Sequence, residues 1–127
     1  MPTLNYNLTD INIVISNLSY VYFLNILNAV NEPWRFTPMD VLQQFYWDSY
    51  KIVQESAPHW ITLLHDSFRL NLDIWGNFMK NCENYAIDTH NYQAWANPSD
   101  IWWFAQCSCN DANLLIEFEN AGIPIVS

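Results

Sequence analysis

Glycine is almost absent from this sequence, and so is positive charge. Two glycines, Gly76 and Gly122, serve 127 residues. That is few for a self-contained all-β domain, whose many turns draw on residues tolerant of left-handed backbone angles. It also leaves no glycine-rich loop to cradle a phosphate. Four basic residues stand against thirteen acidic ones, for a net charge of −9. Such a surface repels phosphate backbones, so no nucleic-acid partner is expected. Charged residues of both signs make up only 13%, against 51% hydrophobic ones. A disordered chain needs the opposite balance, so this one is expected to fold, as a single domain of ordinary size.

Metal-binding spacing is missing too. Cys107-Ser-Cys109 has no second pair to complete a zinc site, and His59, His65 and His90 share no ligand spacing. No metal and no cofactor is expected. The third cysteine, Cys82, makes the count odd and leaves the redox compartment open. A serine-hydrolase elbow is absent as well. Residues 11 to 30 carry no charge, yet Asn12, Ser16, Asn17, Ser19, Asn25 and Asn28 interrupt them with polar groups. Lipid tolerates few such groups, so no membrane span is expected. No basic segment followed by a clean apolar one marks a signal peptide. Asn7-Leu-Thr9 and Asn17-Leu-Ser19 match the glycosylation sequon, which matters only in a secreted chain.

What the sequence does have is aromatic residues, seven each of Trp, Tyr and Phe. They serve either as core or as flat platforms on which sugar C–H faces stack.

Along the chain, helical and strand patterns alternate. Residues 8–18 read as a short helix and Ser19 to Val30 as a strand, apolar on both faces. Thr37 is placed as an N-cap, Pro38 at the first helical position and Asp40 as a capping acid. Val41, Leu42, Phe45, Ile52 and Val53 then recur at helical spacing, up to a stop near Ala57-Pro58. "WITLLH" reads as a second strand, "LDIWGNFMK" as a short helix or turn, and "NYAIDTH" as a third strand. Asn97-Pro98 predicts another helix start, with an interruption near Cys107 to Asn110 and an end at Asn120. Gly122 is placed to close that helix in the left-handed conformation, and "IPIVS" begins a fourth strand.

This alternation predicts an α/β fold with a parallel sheet and helices packed on it. Ligands gather at the carboxyl ends of such strands. Those ends carry Asn31-Glu32, His65-Asp66 and Asp88-Thr89-His90. Glu32, over an apolar floor, is expected to have a raised pKa and to act as a general acid. Pro33 is expected to confine it to extended conformations. Asn31 offers an amide to a sugar hydroxyl. His90 offers its ring to another hydroxyl, and Tyr92 a phenol to steady a second carboxylate. Against this stands the plainer reading of a solvated turn, a satisfied histidine and a half-buried tyrosine. His65-Asp66 is either a ligand pair or a strand-end hydrogen bond that fixes its loop. Trp34, Phe68 and Trp95 follow successive strand ends and either ring a cleft mouth or join the core. Asp10, Asp48, Glu55, Asp111, Glu117 and Glu119 are expected to be solvated.

Taken in order, "LNAVNEPW", "FYWDSYKIV", "LLHDSF", "IWGNFM", "IDTHNYQAW" and "AGIPIVS" resemble the exo-β-1,3-glucanases of glycoside hydrolase family 5, from about residue 10 to 127. The resemblance implies a partial (β/α)8 TIM barrel, about half of one, with four parallel strands corresponding to strands four through seven. It implies Glu32 as acid/base, Asn31 beside the cleaved bond, His90 and Tyr92 in the innermost subsite, and Phe68 and Trp95 in an aromatic clamp. It further implies retaining hydrolysis of β-glucan or an oligosaccharide, and a secreted or cell-wall location. The family's nucleophile, a glutamate in a Gly-Glu-Trp setting, would begin about where Ser127 stands. The isolated chain is therefore expected to be inactive, a carbohydrate binder at most. It is also expected to be unstable or to self-associate through open sheet edges.

Overall fold

The computed structural model describes residues 26–92 and 101–127. The helix expected over residues 8–18, the first strand before Ile26, both sequons, Asp10, Trp95 and the Asn97-Pro98 helix start lie outside the described residues.

Among the described residues, four strands form one parallel sheet in the order of the chain: β1 (Ile26–Asn28), β2 (Ile61–His65), β3 (Tyr85–Asp88) and β4 (Ile125–Val126). Between them lie α1 (Met39–Ser56), α2 (Leu72–Trp75) and α3 (Ile101–Asn120). The expected α/β class, parallel strands and flanking helices are all present.

Register and two-residue alternation sort the side chains onto two faces. Leu64 pairs with Ile87, and Ile87 with Ile125, on one face. Leu42 and Tyr46 of α1 and Phe118 of α3 join Leu64 and Ile87 in the core there. Crossovers of a single hand, stepping always in one direction, bring successive helices to the same face in this way. The other face carries Asn28, Leu63, His65 and Asp88 in register, with Ile26 and Ile61 exposed.

Helix α1 forms because eighteen residues pass without glycine or proline and bury one stripe, Leu42, Tyr46, Ser49 and Val53. Val41, expected on that stripe, faces solvent instead. Its neighbour Leu42 occupies the buried angle, and consecutive residues on a helix diverge by about 100°. The expected Thr37 cap is also corrected. Pro38 holds the cap position with an extended ψ of 131°, and no side chain caps the helix. The Pro38 carbonyl accepts the first bond, from the Leu42 N–H at 3.0 Å. The Thr37 N–H instead closes a turn onto the Trp34 carbonyl at 2.8 Å. The helix ends where Ala57 leaves helical angles, one residue before Pro58, which has no N–H to continue the ladder.

Helix α3 runs unbroken through Cys107 to Asn110, against the expected interruption. Cysteine, serine and asparagine each cost only about 0.7 kcal/mol or less in a helix, and no proline or glycine lies within α3. Its end is as expected. Gly122 takes φ +74°, the Ile123 N–H reaches back to the Phe118 carbonyl at 3.0 Å, and the two side chains bury together.

Two hydrogen bonds from buried aromatic side chains tie this core to the exit of β2. The Tyr46 hydroxyl donates to the His65 carbonyl at 2.7 Å, and burial pushes that phenol's pKa up. The Trp75 indole N–H donates to the Arg69 carbonyl at 3.0 Å. Burying an aromatic ring of this size contributes roughly 2–3 kcal/mol, so the loop after β2 is anchored on a rigid floor.

Candidate functional site

The exits of β1, β2 and β3 meet at one mouth of the sheet. With so few glycines, left-handed backbone falls on other residues. Glu32 has φ +46°, Ser67 +59° and Phe68 +56°. Each such residue costs roughly 1–2 kcal/mol, and strain of this kind gathers at functional sites. The extended Glu32 expected from Pro33 is thereby corrected. Tertiary ties outweigh the local preference: the Ser67 hydroxyl, fully buried, stands 3.2 Å from both the Pro33 and Trp34 carbonyls. It holds the loop after β1 against the loop after β2.

Glu32 is brought together with two of its expected companions. Its Oε1 accepts a hydrogen bond from the Tyr92 hydroxyl and another from His90 Nδ1 at 2.7 Å. The phenol, expected to steady a second carboxylate, thus serves Glu32 itself. His90 Nε2 stands 3.3 Å from Asp88 Oδ2, which also accepts from the Asn28 amide at 3.3 Å. Carboxylates face both ring nitrogens, so the imidazolium is favoured and the His90 pKa is raised, first by the hydrogen bond to Glu32.

The raised Glu32 pKa expected from desolvation is overturned. The Tyr92 and His90 hydrogen bonds hold it below the usual carboxylate range. The side chain is 35% exposed, so the opposing effect of burial is the smaller one. Glu32 is held as a carboxylate, and its contact with His90 favours the protonated ring.

His65 behaves in the opposite way. It is fully buried, and its Nδ1 accepts the Ser67 N–H at 2.9 Å. The ring is therefore neutral with its proton on Nε2, and burial lowers its pKa. Asp66 Oδ1 lies 3.4 Å from that Nδ1, but a nitrogen whose lone pair accepts a hydrogen bond does not pair as a cation. Asp66 accepts instead from the Phe68 N–H at 2.9 Å and the Thr89 hydroxyl at 3.1 Å. Of the two readings of His65-Asp66, the strand-end lock is the one present.

Glu32, His65 and His90 each offer a ligand atom, all within 4.8 Å of one another. Their common place at the strand ends is the expected one, though their spacing along the chain matches no metal motif. A histidine ligand normally donates its second ring nitrogen to an acceptor. His65 has the reverse arrangement, because Nδ1 accepts and Nε2 holds the proton. This protonation does not fit a metal ligand, and it leaves the buried Nε2–H without a hydrogen-bond partner among the described residues.

Beside His90 and Tyr92 opens a cleft of about 450 Å³, whose walls include Phe68, Leu70 and Trp103. Phe68 presents an exposed ring there, edge-on to His65 at 5.0 Å. Trp34 is 67% exposed and packs on Phe36, away from the residues that line this cleft. Asn31 is exposed next to Glu32, and no hydrogen bond joins it to the cluster among the described residues. Trp95 lies outside those residues.

No family model matches this chain. Over 83 residues it is 30% identical to a protein of Emericella nidulans named "Probable glucan 1,3-beta-glucosidase A". The match covers 62% of this chain and 20% of that protein, so the chain spans about a fifth of the length of this curated relative. The likeness supports a glycosidase-like family at a coarse level. Among the described residues, no helix is long and apolar enough to cross a membrane.

Three residues with clear work in this site escaped sequence reasoning. Asp88 was legible only as a strand-end acid, Asn28 only as a polar interruption of an apolar strand, and Ser67 not at all. Asn28 gave the best signal, since an amide inside so apolar a strand needs a partner.

Proposed function

We propose that this chain carries the acid/base portion of a retaining β-1,3-glucan glycosidase site, of the exo-β-1,3-glucanase kind in glycoside hydrolase family 5, on four strands of a (β/α)8 barrel wall. The observation that carries the reading is the convergence of a strand-end glutamate with a histidine and a tyrosine from a second strand exit. The coarse likeness to a glucosidase supports it. In this reading Glu32 protonates the glycosidic oxygen, Asn31 and the Tyr92 oxygen bond sugar hydroxyls around the cleaved linkage, and His90, whose two ring nitrogens face carboxylates, lines the same subsite and holds Glu32. Phe68 and Trp95 stack on sugar faces at the entrance. Glu32 rests as a carboxylate, and a sugar that excludes water from it would favour the protonated form the acid step needs. Retention also needs a second carboxylate about 5–5.5 Å away as nucleophile. Location at the cell wall or outside the cell belongs to the same reading.

A second reading is favoured by a specific observation. Asp66 and Asp88 are both engaged in hydrogen bonds of their own, and Glu32 is held charged. That state suits oligosaccharide binding without cleavage. We also expect association of copies through the outer strands β1 and β4.

Incubation with laminarin of the chain alone and of the chain co-expressed with the remaining strands of a related barrel, with binding and released sugar measured together, tests both readings. Hydrolysis that falls at least about a hundredfold in Glu32→Gln supports the first. Binding without products supports the second. Hydrolysis that survives Glu32→Gln removes the acid/base assignment, and a chain that neither binds nor cleaves overturns both.

A further inference from the structure

The exit of β3 holds one charged group that the acid/base reading leaves without a task. Asp88 ends the strand with its side chain 12% exposed. Asn28 reaches Asp88 Oδ2 from β1, across β2, and so fixes the carboxylate independently of His90. The His90 ring then lies between two carboxylates, Asp88 in ion-pair contact with Nε2 at 3.3 Å and Glu32 Oε1 hydrogen-bonded at Nδ1. A neutral ring would turn a lone pair toward one of the two carboxylates. A rotated ring would lose both contacts.

We propose that Asp88 is a positioning residue, which holds the His90 ring by Nε2 and so delivers its Nδ1–H to Glu32. The proposal deepens the glycosidase reading and rests on it only for what Glu32 does chemically. Around His90 stand three other titratable side chains with engagements of their own. Tyr92, on the same loop, bonds Glu32, and its hydroxyl also lies 3.4 Å from His90 Nδ1. His65, from β2, lies edge-to-face at 4.5 Å and is neutral by virtue of its bond from Ser67. Asp66 accepts from Phe68 and Thr89. From α3, Cys107 and Asp111 line the far side of the open cleft. Asp88 is thus the group that fixes the ring from the side away from Glu32, and the raised pKa of His90 is consistent with it.

The test is histidine ring NMR on the full chain, whose three histidines give a readable spectrum. In the native protein His90 should carry protons on both ring nitrogens at neutral pH and titrate above the ordinary value near 6.5. Asp88→Asn should lower its proton affinity by about three- to tenfold. The His65 line, from a fully buried ring, reports whether the variant has folded. If Asp88→Asn does not fold, Asn28→Ala, which frees the Asp88 carboxylate, should move the His90 midpoint in the same direction. A native His90 protonated on one nitrogen at neutral pH overturns the proposal. So does a midpoint left unchanged in the folded variant. No sugar and no turnover enters the measurement, so this result and the fate of the glycosidase reading are decided separately.

Discussion

Two strand exits in this protein carry the same pair of residue types and put them to opposite use. The exit of β2 has His65 and Asp66, and the exit of β3 has Asp88 and His90. At β2 both side chains are buried, the histidine accepts a backbone N–H, and the ring is neutral. At β3 the histidine is partly exposed, faces two carboxylates and is favoured as a cation. Residue type does not decide between lock and charged site. What decides is which groups reach the ring nitrogens and whether water reaches the ring.

The largest effect follows from removing the lock. His65→Ala leaves the Ser67 N–H buried without an acceptor and opens a cavity, at a combined cost of ~3 kcal/mol. Thermal unfolding should fall by about 10 °C. His65→Asn keeps an acceptor near the place of Nδ1 and should recover roughly half of that loss. His90→Ala should cost a small fraction of it, because exposed ion pairs contribute little. A larger loss in His90→Ala than in His65→Ala would break the division between the two exits.

These two histidines also mark how far the sequence could be read. Helices and strands were legible because periodicity and proline punctuation are local signals, and α1, β2, β3 and β4 fall where they are expected. The mouth of the sheet was legible as the place where Glu32, His65, Asp66, Asp88 and His90 gather, since parallel strands expose their carboxyl ends together. Charge states were not legible. The lowered pKa of Glu32 depends on donors fifty-eight and sixty residues away along the chain. The left-handed angle of Glu32 was hidden for the same reason, as it is set by a hydroxyl at Ser67 and opposes the preference of the residue before a proline.

A smaller effect is expected in the pH dependence of stability. The His65 pKa is lowered in the fold, so its contribution is complete above about 6.5 and is lost as pH falls below that value. The His90 pKa is raised, so its contribution is complete below about 6.5 and is lost as pH rises through the folded value. The unfolding temperature should therefore pass through a maximum between these two limbs. His90→Ala should remove the decline on the alkaline side, a change of ~2 °C, and leave the acid limb in place. An acid limb that vanishes with His90 would mean that the two rings do not titrate as separate exits require.

The smallest effect tests whether strain at the mouth differs in kind from strain elsewhere. Met79, Asn81 and Asn84 also take positive φ, in the turns that lead into β3 at the opposite end of the sheet. Asn81 is exposed at φ +76°. Glycine adopts that angle freely but loses more entropy on folding, so Asn81→Gly should stabilise by only about 0.3 kcal/mol, read as ~1 °C in thermal unfolding. Laminarin binding should not change. Phe68→Gly relieves a similar angle at φ +56° but removes the ring that faces the cleft, so sugar affinity should fall. If Asn81→Gly weakens binding as much as Phe68→Gly does, left-handed residues at the mouth owe nothing to function. They would then follow from a chain with two glycines that must turn at more places than glycine can fill.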